Sequence, residues 1–336
     1  MQQKTARVAV VGATGAVGTT MLQLLADRGF PASEIVAFAS ERSVGKELAG
    51  GLIVQPLNEQ SIQGFDIAIF SAGGSTSREW APQFAAAGAV VVDNSSCWRT
   101  DPEVPLVVAE VNPQELKNRP KGIIANPNCS TMQMLVALKP IYDAVGIKRL
   151  VVTTLQAVSG TGVAAVAELK QQSGAVLNGE TPEVSIYPHR IAFNAIGAAG
   201  NFADGDDYTD EERKLIFETR KILGDQSIAI TATCTRVPVL NCHSETVNIQ
   251  TASELSAERC RDLLNTAPGV TVIDDPAAHA YPTVLDADGK DDVFVGRIRK
   301  DDSADNSLNL WVVADNLRKG AATNAVQLAE LVLAGS

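Results

Sequence analysis

Arg7-Val8-Ala9-Val10-Val11-Gly12-Ala13-Thr14-Gly15-Ala16-Val17-Gly18 is a β-branched run that ends in a glycine-rich turn and opens an amphipathic segment. A continuous apolar run of this kind predicts a strand buried on both faces. The glycines permit a tight turn and close backbone approach, and the helix they open, about residues 16–27, aims its first N–H groups at an anion. Between a first strand and a helix, the motif predicts a dinucleotide pyrophosphate site at Gly12, Thr14, Gly15, Ala16 and Val17; the competing reading is a purely structural turn.

The same alternation continues along the chain. Strands are predicted at residues 35–39, 65–70, 89–93 and 122–125, with a helix at about 77–87. Strand alternating with helix at this spacing predicts a parallel, doubly wound sheet whose ligands lie beyond the carboxyl ends of its strands. The second strand runs into Ser40-Glu41-Arg42-Ser43, where many such folds hold the ribose. Arg42 between two serines suits a 2′-phosphate and Glu41 would repel one, so NADP is favoured over NAD; a solvated loop is the plain alternative. Arg99, in Ser96-Cys97-Trp98-Arg99, falls on the same side and can fork onto a phosphate or carboxylate, or simply be solvated.

Composition narrows the class. A chain of 336 residues exceeds what one core usually supports, so two domains are expected. Hydrophobic residues at 45% with 26 glycines suit an α/β enzyme. A net charge of −11 disfavours nucleic acid and anionic membranes as partners, and an anionic substrate must then rely on a few local Arg or Lys side chains. Five cysteines without a C-x-x-C pair predict free thiols and no metal. Apolar runs fall short of a membrane span and no signal peptide is apparent, so a cytoplasmic protein is expected.

Asn126-Pro127-Asn128-Cys129-Ser130-Thr131 reads as a strand end, a sharp turn and a helix start, the helix running from about Met132 to Val145. Asn128 or Ser130 can cap it, and a cysteine at a helix N-terminus can have its pKa lowered far enough to exist as the nucleophilic thiolate. Taken alone, Cys129 reads better as a buried structural thiol that follows a turn; the rest of the chain reverses that preference. Residues 148–162 form one long strand. Further strands at about 229–236, 244–251, 292–299 and 308–314, with helices at about 210–223 and 256–267, predict a mostly antiparallel sheet with helices on one face. Residues 176–207 are an irregular excursion without period, and 319–333 an amphipathic helix that returns to the first domain. Cys242 and His243 stand between two strand-like runs, where a turn would leave the imidazole exposed. With three histidines in the chain, general acid/base candidates are few. Arg236, seven residues earlier, offers a fixed positive charge to a ligand.

Six stretches carry a resemblance across essentially the whole chain: Gly12-Ala13-Thr14-Gly15, Asp93-Asn94-Ser95-Ser96-x-Trp98-Arg99, Asn126-Pro127-Asn128-Cys129-Ser130-Thr131, Gln156-Ala157-Val158-Ser159-Gly160, Arg236-Val237-Pro238-x5-His243-Ser244 and Asp315-Asn316-Leu317-x2-Gly320-Ala321-Ala322. In order and spacing they resemble the aspartate-semialdehyde dehydrogenases, closest to the bacterial type whose second-strand turn reads Ser-x-Arg-Ser. The resemblance implies a Rossmann-like NADP-binding domain (1–128 with the C-terminal helix 318–336) and a mixed-sheet catalytic and dimerisation domain (129–317), together a glyceraldehyde-3-phosphate dehydrogenase-like fold. It implies Cys129 as nucleophile, His243 as general acid/base and Gln156 as the residue that orients the substrate or polarises its carbonyl. Arg99 and Lys214 would hold phosphate, Arg236 the α-carboxylate, Glu211 the amino group, with Asn128 beside them. Ser159, Gly160 and Asn316 would touch the nicotinamide end of NADP, and Ser40, Arg42 and Ser43 its 2′-phosphate. The implied reaction is reduction of β-aspartyl phosphate in lysine, methionine and threonine synthesis, by a homodimer, with Cys129 where the two domains meet. Glu41 and the small-residue stretch 196–201 depart from the family pattern. A sibling reductase of N-acetyl-γ-glutamyl phosphate would need room for an acetyl group, against which the Arg236-Val237-Pro238 context argues, and a non-catalytic NADP-binding homologue would be expected to lose the nucleophile.

Overall fold

β1 (Ala6–Val11) is buried along nearly its whole length, as a β-branched run with no polar face requires. It is followed by α1 (Ala16–Asp27), β2 (Ala32–Phe38), β3 (Ile67–Phe70), α2 (Gly74–Ala86), β4 (Val90–Asp93) and β5 (Ile123–Ala125). Every pairing among these strands is parallel, in the order β2-β1-β3-β4-β5. Strand order reverses at β1, which places the turn after β1 at the crevice where doubly wound sheets take their ligands. Gly12 makes that turn possible: its φ is +90°, and a Cβ there would lie 2.2 Å from the Ser71 carbonyl oxygen. The N–H groups of Gly12 and Ala13 both donate to the Phe38 carbonyl, at 2.8 and 3.0 Å, which ties the turn to the end of β2.

The computed structural model describes residues 5–335, which divide into two compact units. One runs through Pro127 and resumes at Ala321; the other is Asn128–Gly320. The second unit comprises α3 (Cys129–Val145), β6 (Ile147–Gln156), α4 (Val163–Leu177), α5 (Asp210–Leu223), β7 (Ala229–Arg236), β8 (His243–Thr251), α6 (Ala257–Asn265), β9 (Val270–Val272), α7 (Val284–Ala287), β10 (Val293–Lys300) and β11 (Ser307–Ala314). Its six-stranded sheet has the order β7-β6-β8-β11-β10-β9. The β6–β8, β8–β11 and β10–β11 pairs are antiparallel, while β6–β7 and β9–β10 are parallel. The sheet is therefore mixed. Helix α3 packs against both α5 and α6, and all three pack against the sheet.

Several boundaries differ from the sequence reading, β2 beginning three residues early among them. α2 and α3 each begin three residues earlier than the apolar periodicity suggests, because the first turn of a helix is set by its cap and not by its buried stripe. The long strand stops at Gln156; a 3-10 turn (Val158–Thr161) and Gly162, at φ +113°, lead into α4, a helix that the sequence reading leaves unassigned. The excursion after α4 is irregular but pinned: the buried carboxylate of Glu168 accepts from Ser185 Oγ and the Ile186 N–H, and Gln172 Oε1 accepts from the Ile191 and Ala192 N–H groups. Beneath it Val158, Ala165, Leu169, Ile191, Ala192 and Ile196 form a small core of their own.

A π-helical turn (Arg318–Thr323) returns the chain to the first unit as α8 (Asn324–Leu333). There Val326 and Leu328 of α8 join Met21, Leu24 and Leu25 of α1 over one sheet face, with Val8, Val10, Ile67 and Ile69 beneath. On the other face Phe38, Phe65, Phe70 and Phe84 stack with centroids 5.4 to 6.1 Å apart. Buried Asn324 fastens α8: its Oδ1 accepts from the Ala109 N–H at 2.9 Å, and its Nδ2 donates to the Val107 carbonyl at 2.9 Å and to Asn126 Oδ1 at 2.6 Å. Asn324→Leu removes these bonds and strands buried partners, at a cost of about 3 kcal/mol. The first urea transition is expected at lower concentration in the variant; an unshifted midpoint contradicts the role given to this side chain.

Candidate active site

Cys129 is the first residue of α3, and its position follows from its neighbour. Asn128 is the N-cap: its Oδ1 accepts from the N–H groups of Ser130 and Thr131, at 3.0 and 3.3 Å. Of the two caps the sequence allows, the structure uses Asn128. Its own backbone N–H donates to Glu218 Oε2 at 2.6 Å, and its Nδ2 to Glu211 Oε1 at 2.7 Å. Both carboxylates come from α5, a helix fixed by a Thr209–Glu212 capping box. Cys129 itself is half-buried.

Glu211 gathers several of the predicted residues. Its Oε1 also accepts from Gln156 Nε2 at 3.3 Å, and its Oε2 pairs with Lys214 at 3.4 Å. Gln156 Nε2 donates in addition to Ser130 Oγ at 3.2 Å, so the amide at the end of β6 is bonded to the residue next to the thiol. Burial works against the charge of Lys214, but Glu211 and Asp210 outweigh it and hold its pKa above the usual lysine value. The ammonium therefore stays charged at neutral pH.

Arg236 and His243 converge on Ala157. Arg236 Nη1 donates to the Ala157 carbonyl at 2.8 Å, and the Ala157 N–H donates to His243 Nδ1 at 3.0 Å. The sequence reading places this imidazole in an exposed turn. The structure corrects it: His243 is the first residue of β8, paired with Ala314 of β11, and wholly buried. Burial, and then the positive charge of Arg236, push its pKa well below the ordinary histidine value against the opposing pull of the Cys242 carbonyl. A neutral imidazole whose Nδ1 accepts a bond carries its proton on Nε2. Among the described residues that Nε2 has no hydrogen-bond partner, nor does Arg236 Nε. A Cβ on Gly160 would lie 3.0 Å from Arg236 Nη1 and 3.1 Å from His243 Nε2, so the glycine leaves room beside both buried groups that any side chain would fill.

Ser159 and Asn316 are bonded to one another, Asn316 Nδ2 donating to Ser159 Oγ at 2.9 Å, while Asn316 Oδ1 accepts from the Cys242 N–H at 3.0 Å. The remaining predicted residues belong to the first unit. Gly12, Thr14 and Gly15 form the β1–α1 turn and Ala16 and Val17 open α1, while Ser40, Arg42 and Ser43 follow β2, with Arg42 exposed. Gly15 caps α1 and Gly73 caps α2, neither with a side-chain hydrogen bond and neither helix with an acidic residue in its first turn. Uncapped amides behind glycines at this edge fit a dinucleotide's pyrophosphate. Arg99 is buried, with Nη2 donating to the Asn94 carbonyl at 3.1 Å.

Two residues have a place at the site that the sequence reading does not give them. Ser130 is one; its signal is adjacency to the cysteine. Gly320 is the other: a Cβ there would lie 2.8 Å from Cys129 Cβ. Its signal is its place in the last of the six stretches. Cys242, Asp288 and Asp315 also come together, but Asp315 already accepts from Asn241 Nδ2 and from the Gly289, Leu317 and Arg318 N–H groups, so it is occupied as a structural acceptor.

Comparison with known proteins gives a consistent picture. Residues 7–119 match the family model "Semialdehyde dehydrogenase, NAD binding domain", and residues 138–319 match "Semialdehyde dehydrogenase, dimerisation domain". The chain is 57% identical over 333 residues to the aspartate-semialdehyde dehydrogenase of Aquifex aeolicus, covering 97% of this chain and 98% of the other. Aspartate semialdehyde dehydrogenase II of Vibrio cholerae, solved in complex with ASA, superposes with a TM-score of 0.94 at 50% identity, over 98% of this chain and 99% of that one. The Candida albicans aspartate semialdehyde dehydrogenase, solved with NADP, gives a TM-score of 0.75 at 25% identity over 98% of each chain.

Two outcomes follow from the geometry. Because the folded pKa of His243 is lowered, the unfolded chain takes up its proton first; the stability tied to neutral His243 is complete above about pH 6.5 and falls below it by at most about 1.4 kcal/mol per pH unit. His243→Gln should flatten the pH dependence of urea stability between about pH 7 and pH 5, and parallel curves for the two proteins contradict this. Gly320→Ala needs no unusual backbone, yet it pushes on Cys129; the alkylation rate of that thiol and kcat should each change by about tenfold or more, with the fold retained. Unchanged rates would show that the contact relaxes without consequence.

Proposed function

The chain belongs to the aspartate-semialdehyde dehydrogenase family, and we propose that it reduces L-aspartyl-4-phosphate to L-aspartate 4-semialdehyde with NADP as cofactor. The observation that carries this reading is Cys129 at the start of α3, with Gln156 bonded to the next residue and a neutral His243 whose Nε2–H is unpartnered. The Cys129 thiolate attacks the β-carbonyl carbon, a C–S bond forms, and the C–O bond to phosphate breaks, leaving a thioester. A bound nicotinamide dinucleotide supplies the hydride that reduces this thioester. The resulting hemithioacetal collapses by breaking the C–S bond, which frees the aldehyde and regenerates the thiolate. His243 Nε2–H donates to the carbonyl oxygen as negative charge develops there and takes the proton back on collapse. Gln156 orients the same carbonyl.

Binding follows charge. Arg236 takes the α-carboxylate, Glu211 the amino group beside Asn128, and Lys214 and Arg99 the phosphate. Ser159, Gly160 and Asn316 line the nicotinamide end. Gly12 to Val17 receive the pyrophosphate, and Arg42 with Ser40 and Ser43 the 2′-phosphate; the NADP in the Candida albicans relative supports this choice over NAD. The pathway served is that of lysine, methionine and threonine. We place the enzyme in the cytoplasm, a reading supported by its five free cysteines. A homodimer is supported by the six-stranded sheet itself, whose face opposite α3 carries half-buried Val151, Thr153, Leu155 and Asn248.

The test runs in reverse, with aspartate semialdehyde, phosphate and NADP followed by NADPH absorbance. Wild type should turn over and Cys129→Ala should lose at least about a thousandfold in kcat. An inactive wild type, or one preferring N-acetylglutamate semialdehyde, overturns the reading. Arg42→Ala should raise KM for NADP about tenfold and leave that for NAD unchanged.

A further inference from the structure

Glu245 lies two residues beyond His243 on β8, on the same face, with Thr154 of β6 and Val312 of β11 as register partners. It is wholly buried, and neither carboxyl oxygen has a hydrogen-bond partner. Burial drives its pKa well above the carboxylate range, opposed only by the two polar side chains that face it, Gln133 and Ser130, both from α3. Those two residues are three apart on one helix face and each already holds part of the site. Ser130 Oγ accepts from Gln156 Nε2, and Gln133 Nε2 donates to the His243 carbonyl at 3.3 Å. Gln133 Oε1 is buried and unpartnered.

One arrangement satisfies every orphaned group. Ser130 accepts from Gln156 and has a hydroxyl proton to give; Gln133 gives one N–H to His243 and has an oxygen to satisfy. A carboxylate between them could accept from Ser130 and from the second Gln133 N–H, but it would leave the buried Gln133 oxygen without a donor. A carboxylic acid accepts from Ser130 with its carbonyl and donates its O–H to Gln133. The chain then runs unbroken: Gln156 to Ser130, Ser130 to Glu245, Glu245 to Gln133, Gln133 to His243.

We propose that Glu245 is a positioning residue, held as a neutral carboxylic acid, which joins Ser130 to Gln133 and so fixes α3, and with it Cys129, against Gln156 of β6 and His243 of β8. It touches neither substrate nor cofactor. The inference rests on the assignment of Cys129, Gln156 and His243 made above, and its test separates the two.

Glu245→Gln reproduces the pattern, since its amide oxygen accepts from Ser130 and its amide nitrogen donates to Gln133. Glu245→Met fills the space and breaks both links. In the reverse assay Glu245→Gln should keep kcat within about threefold, whereas Glu245→Met should lose on the order of a hundredfold in kcat with KM within about twofold, because the reacting groups shift while the binding charges stay. Gln133→Met, which leaves Glu245 in place, should give the same kcat loss and stands in if Glu245→Met does not fold. The infrared difference between wild type and Glu245→Gln should show the C=O stretch of a protonated acid. A carboxylate band, a Glu245→Gln variant as damaged as Glu245→Met, or full kcat in the folded Met variants overturns the proposal. A wild type without activity on aspartate semialdehyde overturns the earlier assignment, and the infrared result stands apart from it.

Discussion

One hydrogen bond decides where α3 starts: the backbone N–H of Asn128 held at 2.6 Å by Glu218 Oε2. A helix has unpaired N–H groups at its beginning, and whichever residue caps them fixes the phase of everything after it. Here the cap is itself held from α5 through its backbone and its side chain. Cys129 is therefore placed by bonds to its neighbour. Slip the cap by one residue and Cys129 turns about 100° around the helix axis, away from Gln156.

Charge is managed locally inside an acidic protein. The chain carries −11 overall, yet Lys214 and Arg236 each keep a cationic group at the second unit's site. Glu211 prevents the cluster from becoming a bare field: it holds Lys214, Gln156 and Asn128 at once. A ligand that brings its own carboxylate or phosphate has to compete with that carboxylate for the same donors, which selects for ligands with several anionic groups over those with one.

The first unit's order was legible because its strands are buried on both faces and separated by glycine turns, signals carried by consecutive residues. α1, α5 and β7 fall at the predicted residues for the same reason: each is bounded by a cap, a glycine or a turn visible in the sequence. What escaped was set by distant partners. The stretch before α4 continues a strand-like pattern, yet the strand ends at Gln156 and a 3-10 turn closed by Gly162 at φ +113° takes over. His243 looked exposed since a turn precedes it; its burial depends on β6, β11 and α3 closing around it, none of them near it in sequence. Glu245 gave no signal at all, as an acid in a strand reads as solvent-facing until both neighbouring strands and the covering helix are known. Residue types carried the candidate chemistry, then, and tertiary contacts carried its protonation.

Glu168 and Gln172 bind the irregular segment after α4 mainly through its backbone, at the Ile186, Ile191 and Ala192 N–H groups, with the Ser185 hydroxyl as a side-chain donor. Amides are present whatever the residue, so away from Ser185 and the buried Ile191, Ala192 and Ile196 the segment's path is inherited from the helix more than from its own side chains. For anyone grafting this region between relatives, the transferable module is therefore α4 together with the segment, not the segment alone.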